Sequence, residues 1–427
     1  MIMAMTDERH ELATTVRRLL QKHLPESELR QLMSTDTAQH PKIWAYLADM
    51  GLLGLAIPEQ YGGAGYGWSE VGVVLEEAGR ALLCVPFYST AVLATAALLA
   101  MEDTPAQADL LPGIAAGECI ATVALSDDAG NWGTPGVAVR ATYRQGTWRL
   151  EGHANYVLDG GSADIVLVPA TSAAPNGGGV SLFVVDRSAT GLNTTPLSTL
   201  DLTRKQTRLE FHGTPGRLVG SEGGAGNALE TVKNVGVACL SAEQVGGAQR
   251  ALEMAVEYAQ TRYQFGRPIG TFQAVKHMCA DMLVEVELAR SAAYHALWAA
   301  DDSPEELPIA ACIAKITCPE AYFSVAAQNI QVHGGIGFTW EHAAHLHLKR
   351  AKSGQLMLGD AIAHSADLAD KQLDFIPRSA IHSLHRGHDF AATVLNFIAR
   401  RRRAATCFPL QGVELGDDPG QAIFTVL

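Results

Sequence analysis

The chain has 427 residues, of which 48% are hydrophobic and 18% are charged. This length suggests two to three domains of roughly 150 residues each with a substantial buried core, and the composition is typical of a globular protein and not of a disordered one. The formal net charge of -13 argues against nucleic acid or an anionic membrane as a partner, since both favour a basic face.

The N-terminal segment is charged almost from its start, with Thr6-Asp7-Glu8-Arg9-His10 in sequence. It offers no apolar core for a signal peptide, and the most apolar early stretch, Ala91 to Met101, is too short for a transmembrane span. The seven cysteines include no C-x-x-C pair and lie mostly in apolar surroundings. We therefore expect a reduced, cytoplasmic protein without a metal site.

Three regions of the chain differ in periodicity. From Asp7 to about Ala116, apolar residues recur at helical spacing between glycines and prolines, which predicts short helices joined by tight turns. From Glu118 to about Gly220, alternating or short apolar runs such as Ile165-Val166-Leu167-Val168 predict β-strands. After the glycine-rich segment 222–226, long helical patterns such as the one from Phe272 to Leu297 predict a bundle. The prediction is a mainly α fold with a central β domain.

Three motifs stand at intervals along this pattern. The first spans Trp44 to Gly63 and contains Gly51-Leu52-Leu53-Gly54-Leu55-Ala56-Ile57-Pro58-Glu59. The second is Arg262-Tyr263-Gln264-Phe265-Gly266, followed by Phe272-Gln273. The third is Gln331-Val332-His333-Gly334-Gly335-Ile336-Gly337. In this order and spacing, over residues 6 to 375, they resemble the signatures of the acyl-CoA dehydrogenases.

The resemblance implies the acyl-CoA dehydrogenase fold. Its parts are an N-terminal helical domain over residues 1–116, a middle β-barrel-like domain over 117–222 and a C-terminal four-helix bundle over 223–375. Residues 376–427 form an extension beyond the resemblance, and we expect it to be dispensable for fold and flavin. The alternative is that an amphipathic helix from Phe390 to Ile398 docks on a partner subunit.

The resemblance also implies FAD as the cofactor. A pyrophosphate favours a guanidinium that binds it bidentately and a glycine backbone that can approach it closely. In the family, the arginine and the Gln-x-x-Gly-Gly turn reach across a subunit interface to the ADP half of a neighbour's flavin. The resemblance gives FAD contacts to Arg262, Gln264, Phe265, Phe272, Gln273, Gln331, Gly334 and Gly335. The structural alternative is that Gly266 and Gly334-Gly335 simply end helices.

In the β region the resemblance is weaker. Ser126 lies where the family has a Thr-Glu-Pro hydroxyl that binds the isoalloxazine, and the resemblance gives it that role. Tyr156 lies where the family has a tryptophan against the flavin face, so it could stack as an aromatic substitute. Leu158 takes the place of a threonine near flavin N5 and cannot donate a hydrogen bond. Apolar packing in a strand is the better interpretation of Leu158.

The family's catalytic base is missing. The reaction removes the α-proton of an acyl-CoA while the β-hydride passes to flavin N5, so a carboxylate must lie within about 3 Å of that carbon. The two family positions of this base align with Leu358 and Gly236. Two other carboxylates could substitute: Asp360 does not share a helix face with Leu358, and Glu243 lies about 10 Å along the helix from Gly236. Capping of a helix and a structural ion pair are their respective alternatives.

These features predict an FAD-dependent acyl-CoA dehydrogenase that acts as the base-lacking subunit of a hetero-oligomer. The stretch Val85-Pro86-Phe87-Tyr88-Ser89-Thr90 resembles such subunits in enzymes of steroid side-chain degradation. An acyl-CoA substrate, a base-bearing partner subunit and an electron-transferring flavoprotein as acceptor follow from the resemblance. Two alternatives stay open: a self-sufficient homo-oligomer with Asp360 or Glu243 as base, and a flavin-free structural or acyl-CoA-binding subunit.

Overall fold

The computed structural model of the chain describes residues 5–37, 39–133, 137–172 and 179–374. The chain divides into two units, Met1–Ser365 and Ala366–Leu427. All contacts given below belong to the first unit. The predicted extension over residues 376–427 lies outside the described residues.

The N-terminal region is helical, as its periodicity predicts. Thr6 begins the first helix by accepting a hydrogen bond from the Arg9 amide, and Asp103 caps the last one in the same way at Ala106. In between, the chain forms a π-helical segment, Tyr88–Ala94, in which every residue is buried. The α-helices are α1 (Asp7–His23), α2 (Glu26–Met33), α3 (Pro41–Asp49), α4 (Trp68–Arg80), α5 (Thr95–Ala100) and α6 (Thr104–Ala115).

The middle region forms one sheet that closes on itself. Its strands are β1 (Ala121–Val123), β2 (Arg140–Arg144), β3 (Thr147–Leu158), β4 (Ile165–Ser172), β5 (Val180–Asp186), β6 (Leu192–Pro196) and β7 (Gln206–Val219). The order β4-β2-β3-β7-β5 ends in a further pairing of β5 with β4, so these strands make a closed barrel. Val166, Phe183 and Phe211 belong to a separate apolar core in this region. The predicted β-barrel-like architecture is confirmed.

Long helices form the C-terminal region. They are α7 (Gly226–Thr261), α8 (Gln273–Asp302), α9 (Leu307–His333), α10 (Ala344–Leu356) and α11 (Ala361–Asp374). A two-stranded hairpin, β8 (Tyr263–Gln264) and β9 (Arg267–Pro268), lies between α7 and α8. The predicted mainly α fold with a central β domain is therefore confirmed.

Helices α4 and α7 cross at backbone contact. A Cβ atom added at Gly79 would overlap the carbonyl group of Glu243, and one added at Gly246 would overlap that of Glu76. Glycine allows this approach because a side chain at either position would hold the helices apart. The crossing ties the N-terminal helices to the bundle and fixes the part of α7 that carries the candidate site.

Among the described residues, a single helical stretch, Leu307–Phe338, is long and apolar enough to cross a membrane by length and composition. However, 61% of its most apolar part is buried inside the protein. Burial of this kind is typical of a core helix in a bundle, which is apolar on all sides.

Candidate active site and cofactor contacts

The two positions that the sequence resemblance aligns with the family's base meet in space. Leu358 lies in the turn after α10, is fully buried and has a left-handed φ of 58°. Gly236 lies on α7, and a Cβ atom added there would be 3.0 Å from Leu358 Cδ1. Positions 236 and 358 therefore face the same small volume, which we call the base locus.

Leucine and tyrosine side chains fill the base locus. The Tyr88 hydroxyl donates to the Gly236 carbonyl oxygen at 2.7 Å. A Cβ atom added at Gly236 would be 2.9 Å from Leu93 Cδ2 and 3.3 Å from the Tyr88 oxygen. Burial raises the pKa of Tyr88 well above its usual value, so the phenol stays protonated. The groups nearest to the locus are thus two leucines and a neutral phenol, none of which can take a proton from a substrate.

Glu243, the first substitute base considered, is held in buried ion pairs. Its carboxylate accepts hydrogen bonds from the guanidinium groups of Arg204 and Arg350, the latter at 2.9 Å. Burial acts to raise the pKa of Glu243, but the two arginines outweigh it and the pKa is lowered. A carboxylate with a lowered pKa and two arginine partners is a poor base. Glu243 therefore forms a structural ion pair, which is the alternative to its role as a catalytic base.

Arg350 connects this carboxylate to other segments. Its Nε lies 3.1 Å from Asp201 Oδ2, and one terminal nitrogen donates to the carbonyl oxygens of Thr203 at 3.0 Å and Leu83 at 3.1 Å. The Arg204 guanidinium lies 5.4 Å from the centre of the Tyr88 ring. The ion pairs and the base locus are therefore neighbours, with Tyr88 between them.

The space that remains here is very small. A cavity of about 20 Å³ is lined by groups that include Tyr88, Asp159, Arg204 and Glu243. Asp159 is buried and accepts a hydrogen bond from the Ser89 hydroxyl at 2.7 Å, and burial raises its pKa. This volume holds roughly one water molecule.

Asp360, the second substitute base, is an exposed helix cap. Its Oδ1 accepts a hydrogen bond from the Ala363 amide at 2.8 Å, in the first turn of α11. Leu358 beside it is fully buried, whereas Asp360 is exposed. The carboxylate therefore lies outside the base locus. It caps a helix, which is the alternative to its role as a catalytic base.

The β-domain residues expected near the flavin ring present few free polar groups. Ser126 is buried and its hydroxyl donates to the Asn155 carbonyl oxygen. Tyr156 has a left-handed φ of 52° and is 36% exposed, in an irregular part of β3. Leu158 is buried, and its carbonyl oxygen accepts from the Thr122 hydroxyl at 2.6 Å. A packed leucine thus occupies the position that the resemblance places near flavin N5, and its side chain cannot donate a hydrogen bond.

Arg262 and the hairpin after it form an exposed group. Arg262 ends α7 and, among the residues that the structure describes, makes no ion pair. Gln264 pairs with Arg267 in the hairpin, and the turn between them consists of Phe265, with φ 53°, and Gly266, with φ 79°. Phe265 is 91% exposed. An aromatic side chain and a guanidinium that has no ion pair within the described residues are therefore presented to solvent together.

Phe272 and Gln273 begin the next helix beside this hairpin. The Phe265 and Phe272 rings meet edge to face at 6.0 Å between centroids. The Arg267 guanidinium lies 4.3 Å from the Phe272 ring centre, and Gln273 is exposed as the first residue of α8. These contacts hold the hairpin against the start of α8.

The Gln-x-x-Gly-Gly turn is also exposed. Gln331 lies in the last turn of α9, and Gly334 follows the helix with φ 65°. A Cβ atom added at Gly334 or Gly335 would meet no atom within 4 Å. Gly334 does end the helix, as the structural alternative states. The two glycines also leave the backbone open to a bound group, so the two interpretations are compatible.

The ends of α7 and α9 touch. Tyr258, one turn before Arg262, stacks on His333, two residues after Gln331, with 4.3 Å between ring centroids. The arginine motif and the glycine motif therefore lie at the same end of the bundle, as joint contacts to one cofactor require.

Sequence reasoning did not single out Tyr88, Arg204 or Arg350 as parts of the site. Tyr88 lay in a stretch noted for its resemblance, but the role of its hydroxyl depends on a contact with α7. The two arginines pair with a carboxylate that is distant in sequence. Arg204 lies in a polar loop and Arg350 in the basic stretch Lys349-Arg350 of α10, and neither pattern identifies a partner.

Known proteins resemble the chain in both sequence and fold. Two family models match it: the acyl-CoA dehydrogenase N-terminal domain over residues 6–118 and the C-terminal domain over residues 222–371. The acyl-CoA dehydrogenase IpdE2 of Mycobacterium tuberculosis is 35% identical over 82% of this chain and 93% of its own length. The chain belongs to the acyl-CoA dehydrogenase family.

Solved structures of the family give the same result. The Tcur3481-Tcur3483 steroid ACAD variant has a TM-score of 0.76 at 33% identity, covering 87% of this chain and 99% of that one. The ChsE4-ChsE5 complex from Mycobacterium tuberculosis has a TM-score of 0.79 at 30% identity, covering 88% and 100%. Acyl-CoA dehydrogenases are FAD-dependent oxidoreductases whose general reaction is α,β-desaturation of an acyl-CoA.

The residues present fit one half of FAD and not the other. Arg262, Gln331, Gly334 and Gly335 are exposed at one end of the bundle and suit a pyrophosphate, which favours a guanidinium and an open backbone. The place for the flavin ring within this chain offers a packed Leu158 and a filled base locus. The exposed groups of the chain therefore suit the ADP half of FAD.

Proposed function

We propose that the chain is the base-lacking subunit of a hetero-oligomeric, FAD-dependent acyl-CoA dehydrogenase. The observation that carries the proposal is the contact between Leu358 and Gly236, with the Tyr88 hydroxyl against the same glycine. Both places for a base are occupied by groups that cannot accept a proton. A partner subunit supplies the carboxylate that removes the α-proton.

In this arrangement the chain holds flavin for its partner. Arg262, Gln331, Gly334 and Gly335 of this chain would hold the ADP half of FAD, and the cofactor would supply the acceptor for the β-hydride of the acyl-CoA. Their exposure supports this role, because a guanidinium without an ion pair in the described chain is available to a phosphate.

The relatives support a particular substrate class and partner. One similar structure is named as a steroid ACAD and another as a complex of two proteins, ChsE4 and ChsE5. By analogy, the partner is a base-bearing acyl-CoA dehydrogenase subunit and the substrate is a bulky, steroid-derived acyl-CoA. An electron-transferring flavoprotein accepts the electrons, and the complex is cytoplasmic.

The self-sufficient alternative is disfavoured by its two candidate bases. Glu243 is paired with two arginines beside a cavity of about 20 Å³, and Asp360 caps a helix in solvent. Neither carboxylate is at the base locus.

The visible absorption spectrum of the purified chain tests the proposal. Purified alone, the chain should contain little FAD and show no dehydrogenase activity. Co-expressed with a base-bearing subunit of the family, it should yield a yellow complex that oxidises acyl-CoA. A stoichiometrically yellow homo-oligomer that turns over acyl-CoA would refute the base-lacking role.

A further inference from the structure

Asp159 lies where the β-barrel meets the π-helical segment. It follows β3 directly and its backbone is fixed there, because its amide donates to the Lys205 carbonyl oxygen at 3.0 Å and its carbonyl oxygen accepts from the Ser162 amide at 2.8 Å. Its φ of 52° is left-handed, a conformation that aspartate adopts more readily than most residues. The barrel thus fixes the position from which the buried carboxyl group reaches the Ser89 hydroxyl.

The Ser89 hydroxyl has two oxygen neighbours but only one hydrogen. Its oxygen lies 2.7 Å from Asp159 Oδ2 and 3.1 Å from the Pro86 carbonyl oxygen. A carbonyl oxygen and an ionised carboxylate can only accept, so with Asp159 ionised one of the two contacts lacks a hydrogen. A protonated Asp159 can instead donate to Ser89 Oγ while Ser89 donates to Pro86. Both contacts are hydrogen bonds only when Asp159 carries a proton.

The charges around Asp159 balance without it. Arg350 Nε lies 3.1 Å from Asp201 Oδ2, and the Glu243 carboxylate accepts from both Arg204 and Arg350. Two guanidinium groups therefore face two carboxylates. An ionised Asp159 would add a third buried negative charge to this neutral group, which is unfavourable.

The other titratable groups near Asp159 in the described chain leave this balance unchanged. The Lys205 ammonium group donates to two backbone carbonyl oxygens at the end of α2. Burial raises the pKa of the Tyr88 phenol, and it raises that of the Cys84 thiol to about 12, so both stay neutral. Burial also raises the pKa of Asp159, although Ser89 and the two arginines act in the opposite direction. The direction of this shift agrees with the count of hydrogens and charges.

Ser89 belongs to the segment that fills the base locus. In the π-helical segment Tyr88–Ala94, the Tyr88 hydroxyl donates to the Gly236 carbonyl oxygen, and Leu93 Cδ2 would lie 2.9 Å from a Cβ atom at Gly236. Helical turns of this type are rare and occur frequently at functional sites. A group that holds Ser89 therefore also holds the two side chains of this segment that close the locus.

We propose that protonated Asp159 is a latch that holds the segment Tyr88–Ala94 in the base locus, and that loss of its proton loosens the segment. The latch does not rest on the proposed function, because it concerns how the locus is closed and not which subunit supplies the base.

Urea unfolding of the full chain between about pH 4.5 and about pH 8 tests the proton. Asp159→Asn keeps a donor toward Ser89 Oγ but cannot ionise. The unfolded chain loses the Asp159 proton near its usual pKa of about 3.9, whereas the folded chain holds it to higher pH. This contribution to stability is therefore complete below about pH 4 and is lost as the pH rises.

The unfolding constant of the wild type, divided by that of Asp159→Asn, should rise up to about tenfold per pH unit until Asp159 ionises in the folded chain. Asp49→Asn, at an exposed position on α3, should follow the wild type. A constant ratio for Asp159→Asn would overturn the proposal, because the folded chain would then hold no additional proton at this position.

Hydrogen exchange tests the latch itself. In the wild type, protection of the amides of residues 88–94, corrected for the intrinsic exchange rate at each pH, should fall as the pH rises. In Asp159→Asn it should stay constant. A fall in protection that is equal throughout the chain would overturn the latch, because the proton would then stabilise the whole fold and not this segment.

Ser89→Ala gives a second test that keeps the Asp159 carboxyl group. It removes only the hydroxyl that connects this group to the segment, so protection of residues 88–94 should already be low at about pH 4.5 and should not change further with pH. Ser291→Ala, which removes an exposed hydroxyl on α8, is the matched control and should keep the wild-type profile. A Ser89→Ala profile equal to that of the wild type would overturn the latch.

Discussion

Helix α7 carries two contrasting regions. Around Gly236 and Glu243 it is buried, and its neighbours fill the space with apolar contacts and ion pairs. At its C-terminal end Arg262 is exposed and, within the described chain, makes no ion pair. The first region completes its own interactions, whereas the second presents a solvent-exposed guanidinium that another molecule can bind. The proposed loss of the base and the proposed cofactor contacts thus lie along a single helix.

This difference predicts two kinds of variant. Substitutions in the buried region should change the free energy of unfolding, because they leave charges or cavities in the core. Substitutions at the exposed end should change flavin content, because little of the fold depends on them. The contrast between the two regions is wrong if variants of either region change both the free energy of unfolding and the flavin content.

The largest expected effect is that of Arg350→Met. It removes the guanidinium that binds Glu243 and Asp201 in the core, leaving a carboxylate buried without this partner. Breaking a buried pair in this way costs about 3 to 5 kcal/mol. Urea unfolding measures the change.

Arg217→Met is the matched control. Arg217 pairs with Asp109 on the surface, where the two side chains are 49% and 61% exposed. Its loss should cost less than about 1 kcal/mol. Similar costs for both variants would show that the buried ion pairs do not stabilise the fold.

The next largest effect is expected at the exposed C-terminal end of α7, in flavin content. Arg262→Ala should deplete FAD from the co-expressed complex, because a charge-assisted contact to the pyrophosphate contributes about 1.5 to 3 kcal/mol. Asp360→Asn should retain both flavin and turnover. The ratio of flavin to protein absorbance measures the first effect and an acyl-CoA oxidation assay the second. Loss of turnover with flavin retained in Asp360→Asn would make Asp360 the base and favour the self-sufficient enzyme.

The last effect concerns pH and Lys315, which is fully buried in α9. Its Nζ donates to the Gly354 carbonyl oxygen at 2.6 Å, in the last turn of α10 before Leu358. Burial lowers the pKa of Lys315 from 10.5 to about 7. The unfolded chain therefore holds this proton to higher pH, so stability should rise as the pH increases from about 7 toward 10.5.

Lys315→Met isolates this contribution. Melting temperatures from about pH 7 to about pH 9 should rise in the wild-type protein relative to the variant. Parallel curves for the two proteins would show that Lys315 does not titrate in this range.

The sequence predicted what depends on local patterns. The apolar spacing of α8 and the alternation of the strands gave the fold class, and Arg262 and Gln331 were recognised because each lies in a short, contiguous motif. The absence of a carboxylate at positions 236 and 358 was visible for the same reason. These features need no knowledge of distant contacts.

Features that depend on tertiary contacts could not be predicted in the same way. Nothing in the pattern shows that Tyr88 reaches the Gly236 carbonyl or that Arg204 and Arg350 share one carboxylate. The position of Glu243 in the sequence, seven residues after Gly236, is compatible both with a catalytic base and with a structural ion pair. Only the packing of α7 against α10 and the 201–205 segment decides between them.

The glycine crossing of α4 and α7 restricts how the buried region can move. Because Gly79 and Gly246 each abut a carbonyl group of the other helix, sliding one helix past the other would bring side chains into the contact. Shear between these helices is therefore blocked. An opening of the base locus would then involve the Leu358 turn or the π-helical segment Tyr88–Ala94, whose Tyr88 and Leu93 fill it, which makes hydrogen exchange in those two segments the natural measure of how firmly the site is closed.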